Sequence, residues 1–228
     1  MFPFFFTLST METMKKAAIF DMDGVLFDTE RLYCDTWHRM TEERGLGVSE
    51  EFTSALRGTT GKGSEAVIHR FYPELDAAAF YAEGMRYVKE YTKHTLPEKP
   101  GVRELLQWLK ENGWPIAIAS STDVETIKDH LELAKISSYF DVIVGGRDVQ
   151  NGKPAPDIFL LAAERLDRKP QECFVFEDSP NGIRAACAAG CKAVMIPDLS
   201  PADEEMKEKA CICSSLLEVR EKFLNGEW

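Results

Sequence analysis

Two aspartates, Asp21 and Asp23, stand one residue apart at the end of a short apolar run, and Gly24 follows them. The run, residues 17–21, predicts a buried β-strand that ends at a turn. In open α/β sheets, ligands bind just beyond the carboxyl ends of the strands. Two carboxylates in that position are costly to bury unless a positive charge shares the space. We therefore expect a cation at this end of the strand.

A second pair of carboxylates, Glu177 and Asp178, follows another predicted strand at 173–176. Because parallel strands place their carboxyl ends at the same edge of a sheet, we expect this pair to lie beside Asp21 and Asp23. Four carboxylates in one cleft repel each other strongly, and a divalent cation resolves the repulsion. Ligand sets made only of oxygen favour Mg²⁺ over zinc or copper. The predicted cofactor is therefore Mg²⁺.

Three further polar residues are predicted to reach the same edge: Ser120, Ser121 and Lys153. The two serines follow the predicted strand 116–119 and precede a helix, whose first N–H groups favour an anion. Lys153 is held extended by the proline after it and can place a point charge on a phosphate. This collection of groups predicts a site for a phosphoryl group beside Mg²⁺.

The spacing of the first two aspartates suggests how such a site could work. One carboxylate can attack phosphorus and form an aspartyl-phosphate. A second carboxylate, two residues on, can protonate the leaving oxygen and then take a proton from the hydrolytic water. The pattern thus predicts a phosphoryl-transfer enzyme that uses covalent catalysis.

The elements around these residues predict two parts of the chain. From residue 97 onward, strands alternate with helices, which indicates a mostly parallel α/β sheet with right-handed crossovers. One of these helices is predicted to open with a capping box of Thr122 and Glu125. Residues 30–96 carry four helical patterns and no strand, which predicts an inserted, separate all-helical domain. We expect the core to comprise residues 14–29 and 97–228, with residues 1–13 as an accessory tail.

Composition excludes several classes of function. The net charge of −11, without a basic run, argues against nucleic-acid binding. No stretch approaches the ~18 apolar residues of a membrane span, and the apolar N-terminus lacks the basic region of a signal peptide. The six cysteines include one C-x-C pair with no partner ligands for zinc, so reduced thiols in a cytoplasmic protein are expected.

Four segments taken together resemble the haloacid dehalogenase-like superfamily, in its phosphatase and phosphomutase branch with a helical cap. They are residues 21–28, 119–121, 152–159 and 176–183. The resemblance implies that Asp21 is the nucleophile and that Asp23 is the general acid and base. It also implies that Ser120, with Ser121 beside it, and Lys153 hold the phosphoryl group.

The same resemblance implies the ligands of Mg²⁺. These are Asp21, Asp178, the backbone carbonyl of Asp23, and Glu177 either directly or through water. It further implies a doubly wound, Rossmann-like α/β core with an inserted helical cap, and a cap that opens and closes over the site.

A glycine-rich loop at 58–63 lies between two predicted cap helices. It has the wrong spacing for a Walker A motif and no preceding strand for a dinucleotide fingerprint. We expect a cap loop that reaches the core, in which Arg57, Thr60 or Lys62 contacts the leaving group. A solvated connection between helices explains the same residues equally well.

The sequence favours a Mg²⁺-dependent phosphatase for a small phosphorylated metabolite, acting as a monomer or weak homodimer. The alternative is a sugar phosphomutase of the β-phosphoglucomutase type. That enzyme resembles this chain but carries a histidine at the place of Tyr33 and an arginine near Gly61. Residues 27–33 resemble pseudouridine 5′-phosphatase-like members, which points to a sugar or nucleoside monophosphate. A third alternative is a non-catalytic phosphate-binding module, which the presence of both Asp21 and Asp23 disfavours.

Overall fold

A parallel six-stranded sheet forms the core of the computed structural model, which describes residues 16–228 except 48, 58, 60 and 200. The predicted tail at 1–13 lies outside the described residues. The strand order is β3-β2-β1-β4-β5-β6, and every neighbouring pair is parallel. The strands are β1 (Ala17–Phe20), β2 (Ile116–Ala119), β3 (Val142–Val144), β4 (Cys173–Glu177), β5 (Lys192–Met195) and β6 (Cys211–Ile212).

Helices cover both faces of this sheet, which confirms the doubly wound α/β core. The core helices are α5 (Val102–Glu111), α6 (Val124–Leu133), α7 (Asp157–Arg165), α8 (Pro180–Ala189), α9 (Glu204–Lys209) and α10 (Leu216–Leu224). Helices α5, α6 and α10 pack on the face that carries Phe20, and α7 and α8 pack on the face that carries Ile19. Strand β1 is apolar throughout because side chains on both of its faces are buried.

The cap consists of four helices with an apolar cluster of their own. They are α1 (Thr29–Glu43), α2 (Glu50–Leu56), α3 (Lys62–Phe71) and α4 (Ala77–Thr92). Aromatic side chains dominate the cluster, in which Trp37 stacks on Phe80 and Phe52 packs edge-on against Tyr72. The predicted domain limits at 30 and 96 stay a prediction, although helix α1 itself begins at Thr29.

Two adjacent segments connect the cap to the core. The Asp28 N–H donates to the Pro97 carbonyl, and the Lys99 N–H donates to the Leu26 carbonyl, both at 2.9 Å. The Lys99 ammonium also lies 2.6 Å from the Asp198 carboxylate in the loop after β5. Since both connections run side by side, the start of helix α1 has a fixed position close to the end of β1.

Three local features differ from the sequence prediction. Helix α3 begins at Lys62, so that this residue lies in a helix rather than in the loop. The predicted capping box is wrong, because Asp123 is the N-cap of α6 and no side chain caps that helix. Helix α9 and strand β6 were not predicted, since elements of six and two residues carry almost no periodicity.

Among the described residues, every helix is too short or too polar to cross a bilayer.

A single glycine in helix α4 allows the cap helices to approach closely. A Cβ atom at Gly84 would overlap the ring of Trp37, whereas a Cβ at Gly63 in α3 would make an ordinary contact. We predict that Gly84→Ala lowers the free energy of unfolding by about 1–3 kcal/mol, because the indole must shift in a packed cluster. Urea denaturation measures the change.

Gly63→Ala is the matched control, since both glycines are helical. Replacement of this exposed glycine should leave stability unchanged or raise it by up to about 1 kcal/mol. An equal effect of the two substitutions would contradict close packing at Gly84.

Candidate active site

The three central strands place their polar end residues around Asp21. Asp21 directly follows β1, and its N–H donates to the Phe176 carbonyl of β4 at 2.9 Å. Ser120 directly follows β2 and donates its N–H to Val144 at 3.1 Å, while Glu177 is the last residue of β4. All three residues are buried. The carboxyl edge of the sheet therefore brings these predicted site residues together.

Lys153 lies between two of the buried carboxylates. Its Nζ donates to Asp21 Oδ1 and, at 2.8 Å, to Glu177 Oε1. Burial lowers the pKa of this ammonium, but the two carboxylates outweigh burial, so that the pKa lies above its ordinary value. Lys153 thus remains a cation at any pH at which the protein functions.

The carboxylates at this edge outnumber the lysine. Burial raises the pKa of Asp21 to about 7; Lys153 opposes the increase, and Glu177 and Asp23 add to it. Burial, and then the Glu177 and Asp21 carboxylates, also raise the pKa of Asp178 well above its ordinary value. The site therefore has an excess of negative charge, which a further cation would relieve.

Three of the predicted metal ligands have the arrangement that a cation needs. Asp21, Glu177 and Asp178 each offer one carboxylate oxygen, and these oxygens lie within 4.8 Å of one another. An all-oxygen, largely buried set of this kind fits Mg²⁺. The side chain of Asp23 is outside this group, and the expected role of its backbone carbonyl stays a prediction.

Two glycines leave room for these carboxylates. Gly24 has φ +79°, and a Cβ there would lie 2.5 Å from Asp178 Oδ2. A Cβ at Gly182 would overlap the carboxylate of Glu177. Ser179 fixes Glu177 Oε2 through its N–H at 2.7 Å and its hydroxyl at 2.9 Å. The turn after β4 therefore orients Glu177 toward the site.

Two threonine hydroxyls hold the Asp23 carboxylate, one on each oxygen. Thr29 Oγ1 donates to Oδ1 at 2.6 Å, and Thr122 Oγ1 donates to Oδ2 at 2.9 Å. The hydrogen bond from Thr122 to Asp23 explains why the predicted capping box of Thr122 and Glu125 does not form. Sequence reasoning missed both contacts, although the position of Thr122 two residues beyond Ser120 was an available signal.

The two predicted phosphate-binding serines differ in environment. Ser120 is buried, and its hydroxyl accepts the Thr122 N–H at 3.1 Å. Ser121 is exposed, and both serines line the same cleft as Asp21 and Lys153. Their contact with a phosphoryl group stays a prediction.

The predicted cap contacts are placed differently from one another. Arg57 lines the cleft, and its Nη1 donates to the Leu199 carbonyl of the core at 3.3 Å. Lys62 is exposed at the start of α3 and is not among the residues that line the cleft. Thr60 lies outside the described residues. Of the two described residues, Arg57 and Lys62, only Arg57 has geometric support for a role in binding the leaving group.

The cleft between cap and core has a volume of about 970 Å³ and an aromatic wall that the sequence did not reveal. Tyr33, Trp37 and Tyr81 contribute to this wall, with Trp37 and Tyr81 stacked at 6.1 Å between ring centroids. Burial, followed by the Asp23 and Asp21 carboxylates, raises the pKa of Glu30 to about 8, and Arg57 partly opposes this. The cap side of the cleft thus carries aromatic rings together with the Glu30 acid and the Arg57 and Lys89 cations.

Comparison with known proteins gives a consistent family. The profile of the family described as "Haloacid dehalogenase-like hydrolase" matches residues 18–196. The chain is 36% identical over 180 residues to "Phosphorylated carbohydrates phosphatase" of Thermotoga maritima, covering 78% of this chain and 83% of that protein. It is 33% identical over 208 residues to "Probable pseudouridine-5′-phosphatase" of Drosophila melanogaster, covering 89% and 90%.

A similar solved structure is that of "beta-Phosphoglucomutase" from Clostridium difficile. Its TM-score is 0.75 at 26% identity, and the match covers 92% of this chain and 96% of that one.

The excess carboxylate charge predicts that, as pH rises, the metal-free protein becomes less stable while the stabilisation by added Mg²⁺ becomes larger. The pKa of Asp21 is about 7 in the folded protein and about 3.9 in an unfolded chain. Its contribution to stability is therefore complete below about pH 4 and is lost as pH rises through 7. We expect the melting temperature in chelator to fall between pH 6 and 8.5.

Added Mg²⁺ should raise the melting temperature more at pH 8.5 than at pH 6, because the metal binds the ionised carboxylates and competes with protons. Differential scanning calorimetry measures both effects. Asp178→Asn should remove most of the Mg²⁺ effect. A larger Mg²⁺ effect at pH 6 would contradict binding at this cluster.

Proposed function

The chain belongs to the haloacid dehalogenase-like hydrolase family and is a phosphoric monoester hydrolase, and we propose that it acts on a sugar phosphate or nucleoside monophosphate through an aspartyl-phosphate at Asp21. The observation that carries this proposal is the position of Asp21. Its carboxylate is buried at the end of the central strand, bonded to Lys153 and flanked by Glu177. A carboxylate held in this way can attack a phosphorus atom that Lys153 and Ser120 orient.

The reaction divides between the two aspartates of the first motif. An Asp21 oxygen forms a bond to phosphorus while the bond from phosphorus to the leaving oxygen breaks. The Asp23 carboxyl gives its proton to that oxygen and later takes a proton from the water that hydrolyses the aspartyl-phosphate. Lys153 balances negative charge on the phosphoryl oxygens throughout.

Mg²⁺ is the proposed cofactor, held by Asp21, Glu177 and Asp178. When bound, it would offset charge on the transferring phosphoryl group and lower the repulsion that a carboxylate nucleophile meets. The excess of carboxylates over lysine in the described part of the site supports this assignment.

The lining of the cap supports a leaving group that has both a flat face and hydroxyl groups. Tyr33 and Tyr81 offer phenol rings, and Glu30 and Arg57 offer hydrogen-bonding groups at the same cleft. Sugars and nucleosides combine these two properties. The names of the Thermotoga and Drosophila relatives, which refer to carbohydrates and to pseudouridine, agree with this class.

A phosphomutase is the second candidate, and the similarity to the Clostridium structure favours it. The residue at the position expected for a mutase histidine is Tyr33. Burial raises the pKa of this phenol well above its ordinary value, with Asp23 and Glu30 adding to the effect. A phenol that stays protonated cannot accept a proton near neutral pH, as a neutral imidazole can. Hydrolysis therefore remains the better-supported reaction.

We predict that the purified protein releases phosphate from p-nitrophenyl phosphate with Mg²⁺ and loses this activity in chelator. Asp21→Asn should lower kcat by at least about 10³-fold, since removal of a nucleophile leaves only binding and electrostatic effects. A continuous assay of nitrophenol release measures both results.

Asp129→Asn, on the exposed surface of α6, is the control and should leave kcat unchanged. Full activity of Asp21→Asn would contradict the nucleophile assignment. Conversion of a hexose 1-phosphate to its 6-phosphate, dependent on a bisphosphate primer, would support the mutase instead.

A further inference from the structure

We propose that Thr122 is a positioning residue for the general acid, which it holds against the core while Thr29 holds it against the cap. The inference rests on the proposed function, because it assigns a role to a neighbour of Asp23. It concerns a hydroxyl that neither the four sequence motifs nor the family resemblance singled out.

The geometry gives each oxygen of Asp23 one donor. Thr29 Oγ1 lies 2.6 Å from Oδ1, and Thr122 Oγ1 lies 2.9 Å from Oδ2. With both oxygens held, the carboxyl cannot rotate about its bond to Cβ without losing a hydrogen bond. A carboxylate has about four lone-pair positions, so that two remain for a leaving-group oxygen or a water.

The loop after β2 holds Thr122 rigidly. Its N–H donates to the hydroxyl of Ser120 at 3.1 Å, and its carbonyl accepts the N–H of Gly146 at 3.1 Å. A Cβ atom at Gly145 would lie 2.9 Å from that carbonyl, which shows how closely the next loop packs. The hydroxyl of Thr122 therefore has a position set by the core.

Thr29 supplies the second donor from a different part of the protein. It is the first residue of cap helix α1 and is 1% exposed. The Asp23 carboxyl thus lies between a core donor and a cap donor. Hydroxyl groups suit this place, because each can donate to a carboxylate and accept from a carboxylic acid. The two threonines can therefore hold Asp23 before and after it gives up its proton.

Loss of this constraint would affect proton transfer most. General acid catalysis contributes about 10²–10⁴-fold, and a displacement of about 1 Å can cost on the order of 100-fold. The need for a general acid depends on the leaving group. Nitrophenolate departs without a proton. Phenol has a pKa near that of tyrosine, about 10, so that phenolate departs more easily when an acid protonates its oxygen.

Two aryl phosphates of nearly the same shape test the role. We expect Thr122→Val to lower kcat/KM for phenyl phosphate about tenfold more than for p-nitrophenyl phosphate, because only the poorer leaving group depends on a well-placed Asp23. Thr122→Ser, which keeps the hydroxyl, should restore the wild-type ratio of the two values. Stopped assays of phosphate release measure both substrates.

Thr126→Val is the matched control. Thr126 lines the same cleft four residues further along, and its hydroxyl has no hydrogen-bond partner among the described residues. This variant should keep the wild-type ratio. Thr122→Ala serves as a second variant if Thr122→Val shows a lowered melting temperature.

Equal losses on the two substrates, or no loss, would overturn the role of Thr122. An equal rise in KM for both substrates would indicate that the Thr122 hydroxyl binds the phosphoryl group instead. That result would also overturn its role in positioning Asp23. Failure of the proposed function has a different signature, namely Asp21→Asn with wild-type activity.

Discussion

Buried carboxylates that outnumber their lysine partner set the conditions for the rest of this protein. Asp21, Glu177 and Asp178 meet at the carboxyl edge of the sheet, where Lys153 bonds to two of them. Buried charge without compensation is among the most destabilising features that a fold can contain. A further cation would relieve this repulsion, and a phosphoryl group could then approach a site that would otherwise repel it.

The fold maintains this arrangement through short, specific contacts. Strand β1 lies between β2 and β4, so that Asp21 emerges with Ser120 on one side and Glu177 on the other. Gly24 and Gly182 leave space for carboxylates where any side chain would collide with them. Ser179 fixes Glu177. The two adjacent segments that connect the cap to the core bring Thr29 to Asp23. The Asp23 carboxyl, the proposed general acid, therefore has one hydrogen bond to the cap and one to the core.

The core of the site could be predicted from the sequence because it depends on topology. Once 17–21 and 173–176 are strands of a parallel sheet, Asp21 and Glu177 must lie close together. The lining of the cap could not be predicted, since it depends on how four helices rotate against each other. Trp37 and Tyr81 resemble ordinary core aromatics in the sequence, and Lys62 resembles a ligand that the structure then places outside the cleft. Thr122 was misassigned because a local capping pattern competes with a tertiary bond to Asp23.

Direct detection of the covalent intermediate tests the role of Asp21 most sharply. Enzyme quenched in acid during turnover of p-nitrophenyl phosphate can be reduced with borohydride, which converts an acyl phosphate to an alcohol, and then mapped by peptide mass spectrometry. We predict homoserine at position 21 and unmodified carboxylates at Asp23, Glu177 and Asp178. Reduction at one of those three positions, or no reduction in a sample with a measured burst of nitrophenol, would contradict nucleophilic catalysis by Asp21.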